Sequence, residues 1–216
     1  MFRNLDGSKG GSQIDDTSTT NAWSGQKIQE TINSALSGGG SGGGVQSGSQ
    51  AELVALTGLS KGDQFYMIGD SEQKNKLWNW TGRTWQVYGE TVELKADVSC
   101  IEGNTVEISG SGSSGDFEFK KTNSSEDVHV IGVVCLKGVS FGEWASIACT
   151  GIWPVACDGQ SGQYDRSNYL VCHSTDGLAS ESTSVSAQPF AKILENKIVS
   201  TDGELLWAFL HTTEIY

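Results

Sequence analysis

VHVIGVVCLKGVSFGEWASIACTGIWPVACD, residues 128–158, alternates short apolar runs with turn residues. The runs VHVIGVVCL, WASIACTG and IWPVACD have strand length and are rich in Val, Ile and Trp, and KGVSFGE separates the first two. The rhythm continues to the C-terminus through NYLVCHS, AKILENKIVS and ELLWAFL, punctuated by DGQSGQYDRSN, STDGLAS and STDGE. No 3.6-residue period competes with it. Residues 126–216 are therefore expected to form an antiparallel β-barrel or sandwich, and the fold class is mainly β. Apolar residues on both faces of VIGVVCL predict a strand buried on two sides.

Working backward, residues 97–125 read as strand and linker. DVSCIEGNTVEIS alternates and then breaks into GSGSSG. Residues 50–96 read as a small Trp-rich β module. In it AELVALTGL makes a brief helix or turn, and KGDQFYMIG is a turn into a strand. KLWNWTGRTWQVYG is the clearest hairpin, with Gly82 in the turn, Trp78 and Trp80 on one face, and Trp85 and Val87 on one face. Trp78, Trp80 and Trp85 have two readings: the core of a module too small to have another, or an exposed platform for a glycan or protein partner. The size of the module favours core.

Residues 37–49, SGGGSGGGVQSGS, form a Gly/Ser linker and a domain boundary. Residues 24–36 form one short helix. Ser24 is its N-cap, Gly38 lies beyond its end, and Ile28, Ile32, Ala35 and Leu36 make a single apolar stripe. A helix of this length is marginal alone in water, so its stripe needs a partner. A flexible tether does not pin the helix to its own domain, which favours self-association along that stripe. Residues 1–23 are polar and without periodicity, and read as a docking arm that another particle orders. Its apolar anchors are Met1, Phe2, Ile14 and Leu5, with Arg3 beside them.

The 216 residues include 28 glycines and 2 prolines, and the net charge is −12. An acidic surface repels phosphate backbones and gains nothing from anionic lipid, so neither nucleic acid nor membrane is an expected partner. MFRNLDGSKGGSQ has no apolar run of the kind a signal peptide needs, and maturation in a cytoplasm is the expectation. The five cysteines (Cys100, Cys135, Cys149, Cys157 and Cys172) have no C-x-x-C pair and sit mostly in strand-like runs, as buried structural thiols do. A zinc site at Cys157, Cys172 and His173 is the minor reading, because tetrahedral sites draw on tighter ligand pairs. G-x-S-x-G, Walker A and H-E-x-x-H motifs are absent. Cys172 and His173 are strand neighbours that point to opposite faces, so they do not form a nucleophile–base pair. An enzyme is not expected, and no cofactor or metal is.

Three segments resemble parts of tailed-bacteriophage virion proteins. IDDTSTTNAWSGQKIQETI resembles the polar entry to the short trimeric helix of phage fibres. Asp16, Thr19, Thr20, Trp23, Ser24, Lys27 and Ile28 fit that pattern, and Gly25 stands where serine is usual. The hairpin is similar to small fibre and tail-adaptor modules at Leu77, Trp78, Trp80, Gly82 and Trp85. The C-terminal strands look like the small β-barrels of capsid-decoration and head-fibre proteins, matching at Gly132, Gly138, Gly142, Gly151, Gly177, Lys192 and Leu194. Ala191 stands where a glycine is more usual. The resemblance implies a homotrimeric structural protein of the virion, a head fibre or capsid-decoration spike. Its N-terminal arm would bind the major capsid protein or another virion protein. The alternative it implies is a tail or baseplate fibre that binds a host-surface glycan.

Overall fold

The computed structural model describes residues 45–68, 76–111, 115–123, 129–160 and 162–211. The docking arm, the oligomerisation helix with Ile28, Ile32, Ala35 and Leu36, and most of the glycine linker lie outside the described residues. So do Met1, Phe2, Arg3, Leu5 and Ile14.

The body is mainly β and begins with a small four-stranded sheet in the order β1-β2-β3-β4. Its strands are Gln46–Gly48, Gln64–Met67, Leu77–Trp80 and Trp85–Val87. Between β1 and β2 lies the helix α1, Gln50–Ala55. Ser49 caps α1 reciprocally: its Oγ accepts from Glu52 N, and the Glu52 carboxylate accepts from Ser49 N. Strands β3 and β4 form the expected hairpin, closed by Thr81 N donating to Thr84 O, with Gly82 at φ +99°.

Where the sequence suggests one C-terminal barrel, the chain closes two. The first uses β5 (Thr91–Ala96), β6 (Thr105–Ser111), β7 (Phe117–Lys121), β8 (Gly132–Val134) and β9 (Trp144–Ala148). Its pairing therefore runs across the segments that sequence reads separately as 50–96, 97–125 and 126–216. The second uses β10 (Thr150–Cys157), β12 (Tyr169–Cys172), β13 (Ala179–Ser182), β14 (Ala191–Ile193) and β16 (Glu204–His211). A side pair, β11 (Gly162–Tyr164) with β15 (Lys197–Val199), flanks it.

The two barrels have one topology. In each, the first strand runs parallel to the third and antiparallel to the fifth, and the strand order is first, third, second, fourth, fifth. The registers also correspond. Ala96 pairs with Phe119 as Cys157 pairs with Ala179, and Val106 pairs with Gly132 as Leu170 pairs with Ala191. The isolated bridge Cys100–Val139 occupies the place of the Gly162–Val199 pair. The turn into the last strand is repeated in sequence, as Lys137-Gly-Val-Ser-Phe-Gly-Glu143 and Lys197-Ile-Val-Ser-Thr-Asp-Gly-Glu204. In both turns a glycine at positive φ (Gly142 +80°, Gly203 +87°) lets the glutamate fold back. Glu143 accepts from Ser140 N at 2.8 Å and Glu204 from Thr201 N at 3.1 Å. The hydroxyls of Thr201 and Ser200 hold the Glu204 carboxyl below its ordinary range.

Leu94, Ala96, Val106, Phe119, Val134, Ala145 and Ile147 fill the first barrel. Leu170, Ile193, Leu206 and Ala208 belong to a second, larger core, which continues through Trp153 into Trp78, Phe65, Met67 and Leu53 of the small sheet. The barrels meet edge-on. Ala156 N donates to Gly103 O (2.9 Å), Thr105 N to Gly177 O (2.9 Å) and Gly177 N to Thr122 O (2.7 Å).

Where α1 meets the first barrel, Gln50 Nε2 donates both to Glu102 Oε1 (2.9 Å) and to Leu136 O (2.6 Å). Burial pushes the Glu102 carboxyl above its ordinary range, and the Gln50 amide offsets that only in part. A carboxyl raised in the folded state contributes fully below its unfolded pKa, and that contribution is lost as pH rises through the folded value. Glu102→Gln keeps the acceptor and removes the charge. Discounted for partial exposure, it should raise Tm by about 2–4 °C at pH 7 and by nothing measurable near pH 4. An equal shift at both pH values would refute the assignment.

Candidate functional site: an aromatic cleft beside the hairpin

The three hairpin tryptophans have different fates. Trp78 is fully buried and meets Trp153 of β10 edge-to-face, with centroids 5.6 Å apart and planes at 82°. Trp85 is 5% exposed and packs against Phe65. Neither offers a face to a ligand, so the exposed-platform reading does not hold for them. Trp80 is half-buried at the edge of the same face, its ring 5.4 Å from that of Trp85. A fully apolar cross-strand face packs inward, and only its last member reaches solvent.

Trp80 lines a cleft of about 480 Å³ between the hairpin and the first barrel. Trp144 at the start of β9 lines it too, with Arg83, Leu136, Lys137 and Glu143. The Arg83 guanidinium lies 4.0 Å from the centroid of the Trp144 ring, and its Nη1 reaches Glu93 Oε1 at 3.5 Å. The hairpin is clasped to the barrel below. Thr84 and Ser146 share a hydroxyl hydrogen bond of 2.9 Å, Ser146 Oγ donates to Trp85 O, and Thr81 Oγ1 donates to Glu93. These bonds hold the cleft wall on strands rather than on a free loop. Sequence reasoning did not find Trp144, because WASIACTG reads as an ordinary strand; only the approach of the hairpin places its ring beside Trp80.

Half-exposed indoles with a few polar groups at their edges suit recognition of a planar or sugar-like ligand. Glu143 is committed to capping its own turn. Of the five thiols, Cys135 alone lines the cleft, and it is buried. Burial pushes Cys100 and Cys149 up to about 11 and Cys157 up to about 12, and it raises Cys135 well above its ordinary value, with Glu102 adding to the effect. Among the described residues no group of three or more His, Cys, Asp and Glu side chains is placed to hold a metal ion. Cys157, Cys172 and His173 make no such group. Among the described residues no helix is long and apolar enough to cross a membrane.

No protein-family model matches this chain, and no curated protein matches it. Among solved structures it is similar to the N base of head fiber gp8.5 in bacteriophage phi29. The identity is 16% and the TM-score 0.42, and the match covers 58% of this chain and 97% of that one.

Proposed function

We propose that this protein is a structural component of a tailed-phage virion, a homotrimeric head-fibre or capsid-decoration spike with no catalytic role. The observation that carries the reading is the order of parts in one chain. A polar arm, 1–23, leads into a single short apolar stripe at Ile28, Ile32, Ala35 and Leu36, then a Gly/Ser tract, then a packed β body. A stripe too short to hold a lone helix becomes adequate when three copies meet. The tether lets a threefold spike sit on a lattice point without strict alignment. The arm, with Met1, Phe2, Arg3, Leu5 and Ile14, is ordered by the capsid it binds, and neighbouring copies on the particle offset the entropy cost.

Two measurements test this. Light scattering at low micromolar concentration should give about 69 kDa, three chains of 23.0 kDa, and Ile28→Asp with Ile32→Asp should return it toward one. Deleting residues 1–23 should leave that mass nearly intact and abolish co-sedimentation with virions. A truncated chain that still decorates particles removes the docking arm from the proposal.

The cleft supports a second reading, a tail or baseplate fibre that binds host-surface glycan. Trp80 and Trp144 would stack on sugar faces while Arg83 and Lys137 meet hydroxyl or acidic substituents. A glycan array that stays blank for the intact chain, or signals that survive Trp80→Ala, would eliminate it.

A further inference from the structure

The cleft beside the hairpin opens at a break in the β8–β9 ladder. Val133 pairs with Ala148 and Val134 with Ile147, and Cys135 N still donates to Ser146 O at 3.0 Å. Continued in that register, the ladder would put Lys137 opposite Trp144. Leu136 turns the chain aside first. Its φ is +74°, and Lys137 N donates back to Cys135 O at 3.1 Å, which closes a γ-turn of the rarer, strained hand. Among the described residues only Gln188 shares a positive φ without being glycine. The surroundings hold the strain in place: the Leu136 side chain is 6% exposed, and Gln50 of α1 donates to its carbonyl. Backbone strain of this kind gathers at ligand clamps. The space left between the Leu136–Val139 segment and Trp144 belongs to the cleft.

Much of the lining is apolar: Val54, Leu56, Leu136, Val139 and the ring of Trp80. Its neutral and acidic polar groups are engaged inside the protein. The hydroxyls of Thr84 and Ser146 meet each other, Ser146 Oγ donates to Trp85 O, and the Glu143 carboxylate accepts from Ser140 N. The remaining charged groups are cations. Lys137 is exposed, and the Arg83 side chain is 51% exposed, with a long Nη1 contact to Glu93 that engages few of its N–H donors. In a chain of net charge −12, this cleft therefore presents Arg83 and Lys137 to an anion. A neutral sugar fits that inventory poorly. Each hydroxyl brings a donor as well as an acceptor, and beside apolar walls and cationic donors its hydrogen is left unpaired. A ligand with an apolar body and a carboxylate satisfies both parts of the lining.

We propose that the cleft binds a peptide segment of a partner protein, one that carries a large apolar side chain next to a carboxylate. The apolar side chain lies against Trp80, Leu56 and Leu136, and the carboxylate meets Lys137 and Arg83. The inference goes beyond the proposed function, because it gives the β body a partner of its own, apart from the arm and the helix.

The test is a peptide array probed with the full-length protein, built from Gly-flanked peptides that carry every pair of residues at their centre. The best binders should pair an aromatic residue, Leu or Met with Asp or Glu. Their affinities, read by fluorescence polarisation, should fall about tenfold when the acid becomes Asn or Gln, as for one charge-assisted hydrogen bond. Lys137→Gln with Arg83→Gln should weaken binding at least as much. Lys137→Gln alone, a change at an exposed side chain that leaves the packed body untouched, should still weaken it several-fold. Arg166→Gln, an exposed cation that does not line the cleft, should change nothing. A blank peptide array, binding that ignores the acid, or an equal loss from Arg166→Gln would each overturn the proposal. A glycan array that gives signals while the peptide array stays blank would overturn it in favour of the sugar reading. The trimer fails or stands separately: a one-chain mass with acid-dependent peptide binding defeats the helical seam and supports the cleft.

Discussion

Trp153→Ala is expected to lower stability by about 3–5 kcal/mol, the range for removing a fully buried large aromatic. For a body of this size that corresponds to a fall in Tm of about 6–20 °C. The reason is position. Trp153 is at 0% exposure and fills the junction between the second barrel and the small sheet. Its ring takes the edge of Trp78 on one side, the Lys76 ammonium stands 4.4 Å from its centroid, and its Nε1 donates to Thr150 O at 2.7 Å. Alanine deletes all three contacts and leaves a cavity that two rigid sheets cannot collapse into. Thermal unfolding followed by tryptophan fluorescence reads the effect. Trp153→Phe, which keeps the edge-to-face partner and loses only the indole hydrogen bond and some volume, should recover more than half of it. A loss below about 1 kcal/mol for the alanine variant would mean that the junction contributes little and that the small sheet is held by its hydrogen bonds alone.

Gly103→Ala should be nearly as damaging, by about 2–5 kcal/mol, through two separable causes. Gly103 has φ +83°, where any side chain costs about 1–2 kcal/mol. A Cβ there would also stand 2.6 Å from Ala156 N and 2.6 Å from Leu205 Cδ2, inside the contact between barrels. Overpacking of that kind costs about 1–3 kcal/mol, and it would strain the bond from Ala156 N to Gly103 O. Gly142→Ala is the internal control. Its φ is +80° and its Cβ would meet nothing within 4 Å, so it carries the backbone cost alone. Chemical denaturation of both variants should show Gly103→Ala clearly the worse. Equal losses would show that the barrels give way at no cost and that their contact is not tightly packed.

Much of the β character was legible from side-chain pattern. KLWNWTGRTWQVYG forms a hairpin because alternation and a turn glycine are local properties, and strands lie within the runs from VHVIGVVCL to ELLWAFL, although AKILENKIVS, read as one strand, divides into β14 and β15 in different sheets. The repeat was also written in the chain, as Lys-x-Val-Ser followed by Gly-Glu at 137–143 and 197–204, but seven or eight residues in sixty are easily passed over when the barrel interiors differ. Phe119 and Ala179 occupy equivalent interior positions with very different volumes, as do Ala145 and Leu206. Each barrel needs only its total volume filled, so paired positions diverge freely. The cleft was half legible. Trp80 was among the tryptophans singled out, whereas Trp144 and Arg83 join it only through folding.

The sequence by itself determined the β character of the chain, the hairpin turn at Gly82 and the net negative charge, because these depend on composition and on neighbours along the chain. Only the tertiary structure decided which strands pair. Backbone donors and acceptors are the same in every strand, so β5 can leave the Trp-rich segment and close a barrel with β9, more than fifty residues on, once Leu94 and Ala96 find Ala145 and Ile147 inside. It also decided the burial of Trp78, Trp80 and Trp85. Three like residues on one face became a core contact, a packed edge and a cleft wall, according to how far each lies from Trp153 and from the solvent at the hairpin's end.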